Sequence, residues 1–377
     1  MPNIKQQFPH IKSLTSLRFF AAVGVMLHHL GILNSVHNPI LNRMAAYFFN
    51  GYIGVTFFYI LSGFIINYSF NKHTQDGRFD MKDFFVFRIF RLFPVHFLSL
   101  FAFLILTGTF SIVIKEVLPF ISNLFLIHSL IPNQLYYFAF NSASWSISCE
   151  LIFYISFCGL ILLSNKTLVV LLSSILSCQF LLLFFPQSVF PEHWLFYINP
   201  FFRIIDFIIG MLVCRIYLAT NYMPGKMLAS FFEISSLIFL CFMIFVATKY
   251  VNNMNVRYDL FFIPPMLAIL CAFLFNNGIL SQLLSYRLFI RLGEASFAFY
   301  MIHLIIIRQM VEVLNPQVDK LSSVLFYSLS CFVLSLLISL AIYYFYESPI
   351  NKILRRKWIA FRYGQKNELI SSESEIK

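Results

Sequence analysis

Apolar residues run along this chain in long blocks, not in the thin periodic stripe of a surface helix. At 1.5 Å per residue, about 20 helical residues cross a hydrocarbon core of about 30 Å. Blocks of that size fall near residues 15–34, 51–70, 92–110, 145–164, 168–185, 202–219, 229–248, 259–276, 293–314 and 322–346. The pattern therefore predicts an all-α, polytopic integral membrane protein of about ten transmembrane helices. The block 117–131 (VLPFISNLFLIHSLI) is too short to cross and holds a proline, which predicts one short interfacial or re-entrant helix. The small gap around Lys166 predicts a tight hairpin, and 71–91 and 111–144 are the long connections.

Composition sharpens that picture. Of 377 residues, 59% are hydrophobic and 11% charged, whereas soluble domains carry about a quarter charged side chains. A soluble enzyme, a nucleic-acid binder and a secreted disulfide scaffold are excluded. The net charge of +11 comes from basic residues clustered beside the spans, where they set orientation. With the N-terminus placed in the cytoplasm, nineteen of the 27 Lys and Arg face inward and five outward, the remaining three lying in or at the ends of spans. This bias predicts that both termini are cytoplasmic. The first block contains Arg18, His28 and His29 and lacks a small-residue cleavage site, so it reads as a retained span. Residues 1–350 form the expected membrane domain, and 351–377 a basic tail with a helical start and a disordered acidic end. The seven cysteines all lie in apolar blocks without a ligand pattern, so they read as small buried hydrophobes and no metal is expected.

Charged groups inside spans are costly, so each is a functional candidate. At about 100° per residue, Arg18 and His29 return to within about 20° of one face, about 16 Å apart along the axis. His28 falls about 80° away and is the weaker candidate. Ser146, Glu150 and Tyr154 share one face of span 4, and Ser296, Tyr300 and His303 one face of span 9. Plain helix–helix contact would also account for Ser296 and Tyr300. Arg88 and Arg91, three apart at the mouth of span 3, suit a phosphate-bearing ligand or simple membrane anchoring. Arg203 and Asp206 read as an internal ion pair. Measured from the assumed boundaries, His29 and Glu150 reach nearly the same level in the outer half, while Arg18, Arg88, Arg91 and Glu347 gather at the inner end.

Seven segments, in order, carry a family resemblance: SLRFFAAVGVMLHH, FFYILSGFII, FRIFRLFP, SWSISCELIFY, DFIIGML, LGEASFAFYMIH and YYFYESP. The chain resembles the acyltransferase-3 membrane family, the acetylases of O-antigens, exopolysaccharides and related surface glycans. The resemblance covers about residues 14–350 and implies a bacterial inner-membrane protein. It implies that Arg18 and His29 are catalytic, that Arg88 and Arg91 are required, and that Glu150 and Glu347 belong to functional motifs. Trp145, Ser146 and Ser148 in span 4, with Ser296, Tyr300 and His303 in span 9, are expected to contact or support substrate. No SGNH-type hydrolase segment follows, so a self-contained acetylase is expected.

The resemblance implies acetyl-CoA as donor, with no metal, and a glycan or glycolipid as acceptor. Arg88 and Arg91 would hold the donor phosphates and Arg18 the thioester end. His29 would act as general base on the acceptor hydroxyl or carry the acetyl as acetyl-imidazole, with Glu150 orienting the ring. Two other readings fit similar residues: a transporter or flippase for an anionic or lipid-linked solute, and an amino-sugar N-acetyltransferase. The absence of an inverted repeat speaks against the transporter.

Overall fold

The computed structural model describes residues 11–31, 39–75, 80–185, 188–220, 222–318 and 320–364. The expected disordered end at 365–377, Lys5 and the last residues of the first block lie outside the described residues. In chain order, α1 (Lys12–His29) and a short α2 (Pro39–Phe48) lead through a turn at Phe49–Ile53 into α3 (Gly54–Gln75). α4 (Met81–Thr107) opens on a reciprocal cap in which Asp80 and Asp83 each accept the other's backbone N–H. It stops at Gly108, whose φ of 64° favours glycine. The long connection folds as α5 (Phe110–Lys115), α6 (Val117–Leu124) and α7 (Gln134–Tyr137). Then come α8 (Trp145–Leu160), α9 (Asn165–Phe184), α10 (Pro200–Ala219), α11 (Lys226–Tyr250) and α12 (Met254–Arg257). α13 (Ile263–Phe273), α14 (Ile279–Leu284), α15 (Arg287–Leu314) and α16 (Leu321–Ile342) follow. A π-helical turn at Tyr343–Glu347 joins α16 to α17 (Ser348–Ile359).

Among the described residues, seven helices are long and apolar enough to cross a membrane, those carried by α3, α4, α8, α9, α11, α15 and α16. Three predicted spans fall short of that standard. α1 and α10 are long but hold charges, and α13 has 11 residues. Large hydrophobics on the outer helices are exposed, among them Phe184, Phe231, Phe242 and Phe326. A protein surrounded by water does not leave so much apolar surface uncovered. This is a membrane protein, with α1, α3, α8, α10 and α15 at its centre and α9, α11 and α16 toward the rim.

Without a strong hydrophobic drive between helices in lipid, close backbone approach has to hold the centre together. A Cβ built on Gly63 of α3 would lie 2.0 Å from the Phe207 carbonyl oxygen, and one on Gly210 of α10 would lie 2.0 Å from that of Ile60. A Cβ on Gly293 would lie 2.0 Å from the Thr15 oxygen, so α1 and α15 meet equally closely.

Beside the α3–α10 contact, the fully buried Arg203 pairs with Asp206 at 3.1 Å and with Asp259 at 2.5 Å. It also donates to Thr56 at 3.0 Å. Sequence spacing shows Asp206; Asp259 arrives from the segment before α13.

The 117–131 block folds inward despite its apolar sequence. Asn123 donates to the Ala139 carbonyl and to Ser144, and its own carbonyl meets His96 Nε2 at 2.9 Å. Irregular backbone at this depth is tolerable because protein groups take up its polar atoms. At the other end of α4, the tail segment through 364 does not stand apart. Trp358 Nε1 donates to Asp83 at 2.8 Å, Arg362 pairs with Asp80 and Asp83, and Tyr363 donates to Asp83. Hydrogen bonds from Arg362 hold the Asp80 carboxyl down at about 2. A depressed value stabilises the docked tail above the unfolded carboxyl range of about 4 and loses that contribution as the pH falls toward 2.

Gly210→Val should force α3 and α10 apart and cost about 1–3 kcal/mol. Gly159→Ala, whose Cβ meets nothing within 4 Å, should leave stability unchanged. Thermal unfolding of the solubilised protein checks both.

Candidate functional site

The helices α1, α3, α4, α8 and α15 wall a cavity of about 370 Å³. Arg18, Lys72, Arg88 and Arg91 stand on its wall, with Tyr154 and Glu294. The three-residue spacing on α4 turns Arg88 and Arg91 to one side. Arg88 is buried, its guanidinium 4.8 Å from the Phe84 ring centroid and its Nε without a hydrogen-bond partner. Arg18 has Arg91, Glu150 and Glu347 as charged neighbours. Glu347 ends the π turn, buried, with Oε2 unpartnered. The sequence gathers Arg18, Arg88, Arg91 and Glu347 at one end, and in the structure they are neighbours around one basic chamber.

A smaller space of about 40 Å³, the neck, shares Arg18 and Phe58 with the chamber and is faced by Tyr59, Ser146, Glu150, Ser296 and Tyr300. Ser146 Oγ and the Tyr300 hydroxyl are 2.7 Å apart, which joins α8 to α15. Tyr59 donates to the Ser146 carbonyl at 3.1 Å. Ser296 spends its proton on the Gly293 carbonyl at 2.7 Å. Glu150 accepts from Ser62 at 3.0 Å and from Tyr154.

One turn beyond Tyr300 the two histidines meet. His303 is fully buried, and its Nε2 lies 3.1 Å from Nδ1 of the half-buried His29. His303 Nδ1 lies 2.6 Å from the Tyr300 carbonyl oxygen. A carbonyl only accepts, so that nitrogen carries the proton. In the neutral ring Nε2 then offers a lone pair, and His29 Nδ1–H donates to it. The backbone of Val25 also takes a hydrogen bond from the His29 ring, and with Nδ1 as the protonated atom Nε2 is the nitrogen that keeps its lone pair, without a hydrogen bond among the described residues.

Three sequence-based placements change. Glu150 is a charged neighbour of Arg18, and the side chain that meets the His29 ring is that of His303. Ser148 turns away from the neck: it donates to the Leu126 carbonyl at 2.7 Å and meets Ser129 Oγ at 2.7 Å, holding the inward-folded block. Trp145 is buried against Tyr197 with ring centroids 4.8 Å apart. His28 Nδ1 is tied to the Phe49 carbonyl at 2.6 Å, as its position off the Arg18 face implies. Tyr59, Ser62, Lys72 and Glu294 were not singled out from the sequence. Polar atoms interrupting FFYILSGFII were the available signal for the first two. Among the described residues, no three His, Cys, Asp or Glu side chains gather where a metal ion could sit.

The family model for the Acyltransferase domain matches residues 11–344. The chain is 27% identical to Acyltransferase MdmB of Streptomyces mycarofaciens over 324 residues, 79% of each chain. It is 27% identical over 377 residues to the putative peptidoglycan O-acetyltransferase YrhL of Bacillus subtilis (strain 168). That match takes in 92% of this chain but 56% of the relative's length. No solved structure matches. Since the family match runs through every helix that walls the chamber and both histidine-bearing helices, the chain belongs to the acyltransferase-3 family of membrane acyltransferases.

Proposed function

We propose that this protein is an O-acetyltransferase of the bacterial inner membrane. It moves acetyl from cytosolic acetyl-CoA to a hydroxyl of a cell-surface or lipid-linked glycan. Both termini lie in the cytoplasm, and α1, α10 and α13 cross with the seven more apolar helices. The observation that carries the reading is the bare Nε2 of His29, wired through His303 and lying beyond a basic chamber and a polar neck. The printed name of the Bacillus relative, a putative peptidoglycan O-acetyltransferase, supports a glycan hydroxyl as acceptor.

Arg88 and Arg91 hold the donor's phosphates by charge-assisted hydrogen bonds. Arg18 directs the thioester end into the neck, its charge balanced by Glu150 and Glu347. His29 Nε2 takes the proton of the acceptor hydroxyl as that oxygen attacks the thioester carbonyl. The carbon–sulfur bond breaks, and the thiolate leaves with coenzyme A and takes up the proton. His303 does for His29 what a carboxylate does in a hydrolase triad: it fixes the tautomer and supports the imidazolium. Glu150 is a positioning residue, acting through Arg18, Ser62 and Tyr154.

Membranes supplied with labelled acetyl-CoA should transfer label to glycan. Surface-glycan mass spectrometry with and without the gene should then differ by one acetyl. His29→Ala should lower turnover by about 10²–10⁴-fold, the usual contribution of a general base, with His28→Ala close to wild type. A dead His28 variant beside an active His29 variant would refute the assignment. His303→Ala should lower kcat with the KM for donor unchanged, read from initial rates at varied acetyl-CoA. Arg88→Gln and Arg91→Gln should each raise that KM by about 10–100-fold, at about 1.5–3 kcal/mol for a lost charged hydrogen bond, and leave acceptor choice alone.

A further inference from the structure

Beside the basic chamber stands an arginine that the sequence does not single out. Arg355, on α17, places its guanidinium 4.9 Å from the ring centroid of Phe87. Arg88 sits 4.8 Å from the ring centroid of Phe84, one turn away on α4. Arg355 is thus brought from a different element to the face that carries Arg88 and Arg91, and it is a charged neighbour of both. It is half-buried, its Nε is buried without a hydrogen-bond partner, and it makes no ion pair among the described residues. The nearby acids of α4 are already engaged, since Asp80 and Asp83 hold Arg362, Trp358 and Tyr363.

Like charges converge only where something compensates them. Around the chamber stand Arg18, Lys72, Arg88, Arg91 and Arg355 against Glu150, Glu294 and Glu347, an excess of positive charge. Two of the arginines keep an N–H without a partner. A multiply charged anion with several acceptor oxygens matches that arrangement, and guanidinia bind phosphate oxygens in a planar fork.

We infer that Arg355 is a third phosphate-binding arginine of the donor mouth, delivered by the C-terminal helix and held there by the clasp of Arg362, Trp358 and Tyr363 on Asp80 and Asp83. The inference rests on the proposed role of Arg88 and Arg91 as the donor's phosphate site. Anionic lipid headgroups share the same chemistry. The nucleotide end of the donor is the occupant favoured here, because Arg88 and Arg91 line one cavity with Arg18, which also borders the neck.

The test uses the full-length protein in nanodiscs, one set of phosphatidylcholine and one containing phosphatidylglycerol. Acetyl-CoA is compared with acetyl-pantetheine, which has no phosphate. Arg355→Gln should raise the KM for acetyl-CoA about tenfold in both lipids and leave turnover of acetyl-pantetheine unchanged, which also certifies the fold. Arg355→Lys should recover part of the loss. Asp80→Asn with Asp83→Asn, which releases the clasp, should reproduce the Arg355→Gln phenotype. An unchanged KM in Arg355→Gln, while Arg88→Gln raises it, overturns the inference and leaves the donor site standing. Unchanged KM in Arg88→Gln and Arg91→Gln as well overturns the donor reading itself. An effect confined to phosphatidylglycerol nanodiscs assigns Arg355 to lipid and also overturns the inference.

Discussion

Hydrocarbon offers no water, so each polar group that a helix carries into the membrane has to find its partner on another helix. Arg203 and Arg18 show the two outcomes. Arg203 is enclosed, with two carboxylates, a threonine hydroxyl and the faces of Tyr59 and Tyr197 around it, and it has no access to a ligand. Arg18 has its compensating acids at the edge of an open chamber. The same residue type is a rivet in one place and a contact surface in the other. The difference lies in whether the surrounding helices close over it.

Much of this arrangement was legible because a helix repeats. Block length located the seven helices apolar enough to cross, and the angle between Arg18, His28 and His29 on α1 set apart the histidine that meets His303 from the one tied to Phe49. Ser146 and Glu150 share one helix face and Tyr300 another, and all three face the neck. Partnerships between helices were not legible, since nothing in one sequence brings His303 to His29 or Asp259 to Arg203. The misplacement of Glu150 has a specific cause. The level assigned to it assumed that the span starts at a membrane boundary, but Ala143, Ser144 and Trp145, at the start of α8, are themselves buried in protein. The span tally met a related limit. α1 and α10 give up apolarity to the site and to the Arg203 network, and α13 begins beyond a buried segment that already holds Asp259 and Phe262.

Chamber and neck differ ninefold in volume, about 370 Å³ against 40 Å³. A space of the smaller size admits a few waters and no nucleotide. The narrowing sits where charge gives way to hydroxyls, between Arg18 and the Ser146–Tyr300 contact. Beside the arginines, a space of that size has room only for something slender and neutral.

The glycine contacts carry this further. Gly63 and Gly210 press α3 onto α10, Gly293 presses α15 onto α1, and a Cβ on Gly51 would lie 1.8 Å from the Gly24 oxygen. The helices that frame the path are therefore joined backbone to backbone, with no layer of side chains to act as a lubricant. Carriers that alternate between two openings rock one bundle across another, and a scaffold knitted this tightly has no such sliding plane. At these contacts the frame is fixed, and movement is left to the side chains and connections around it.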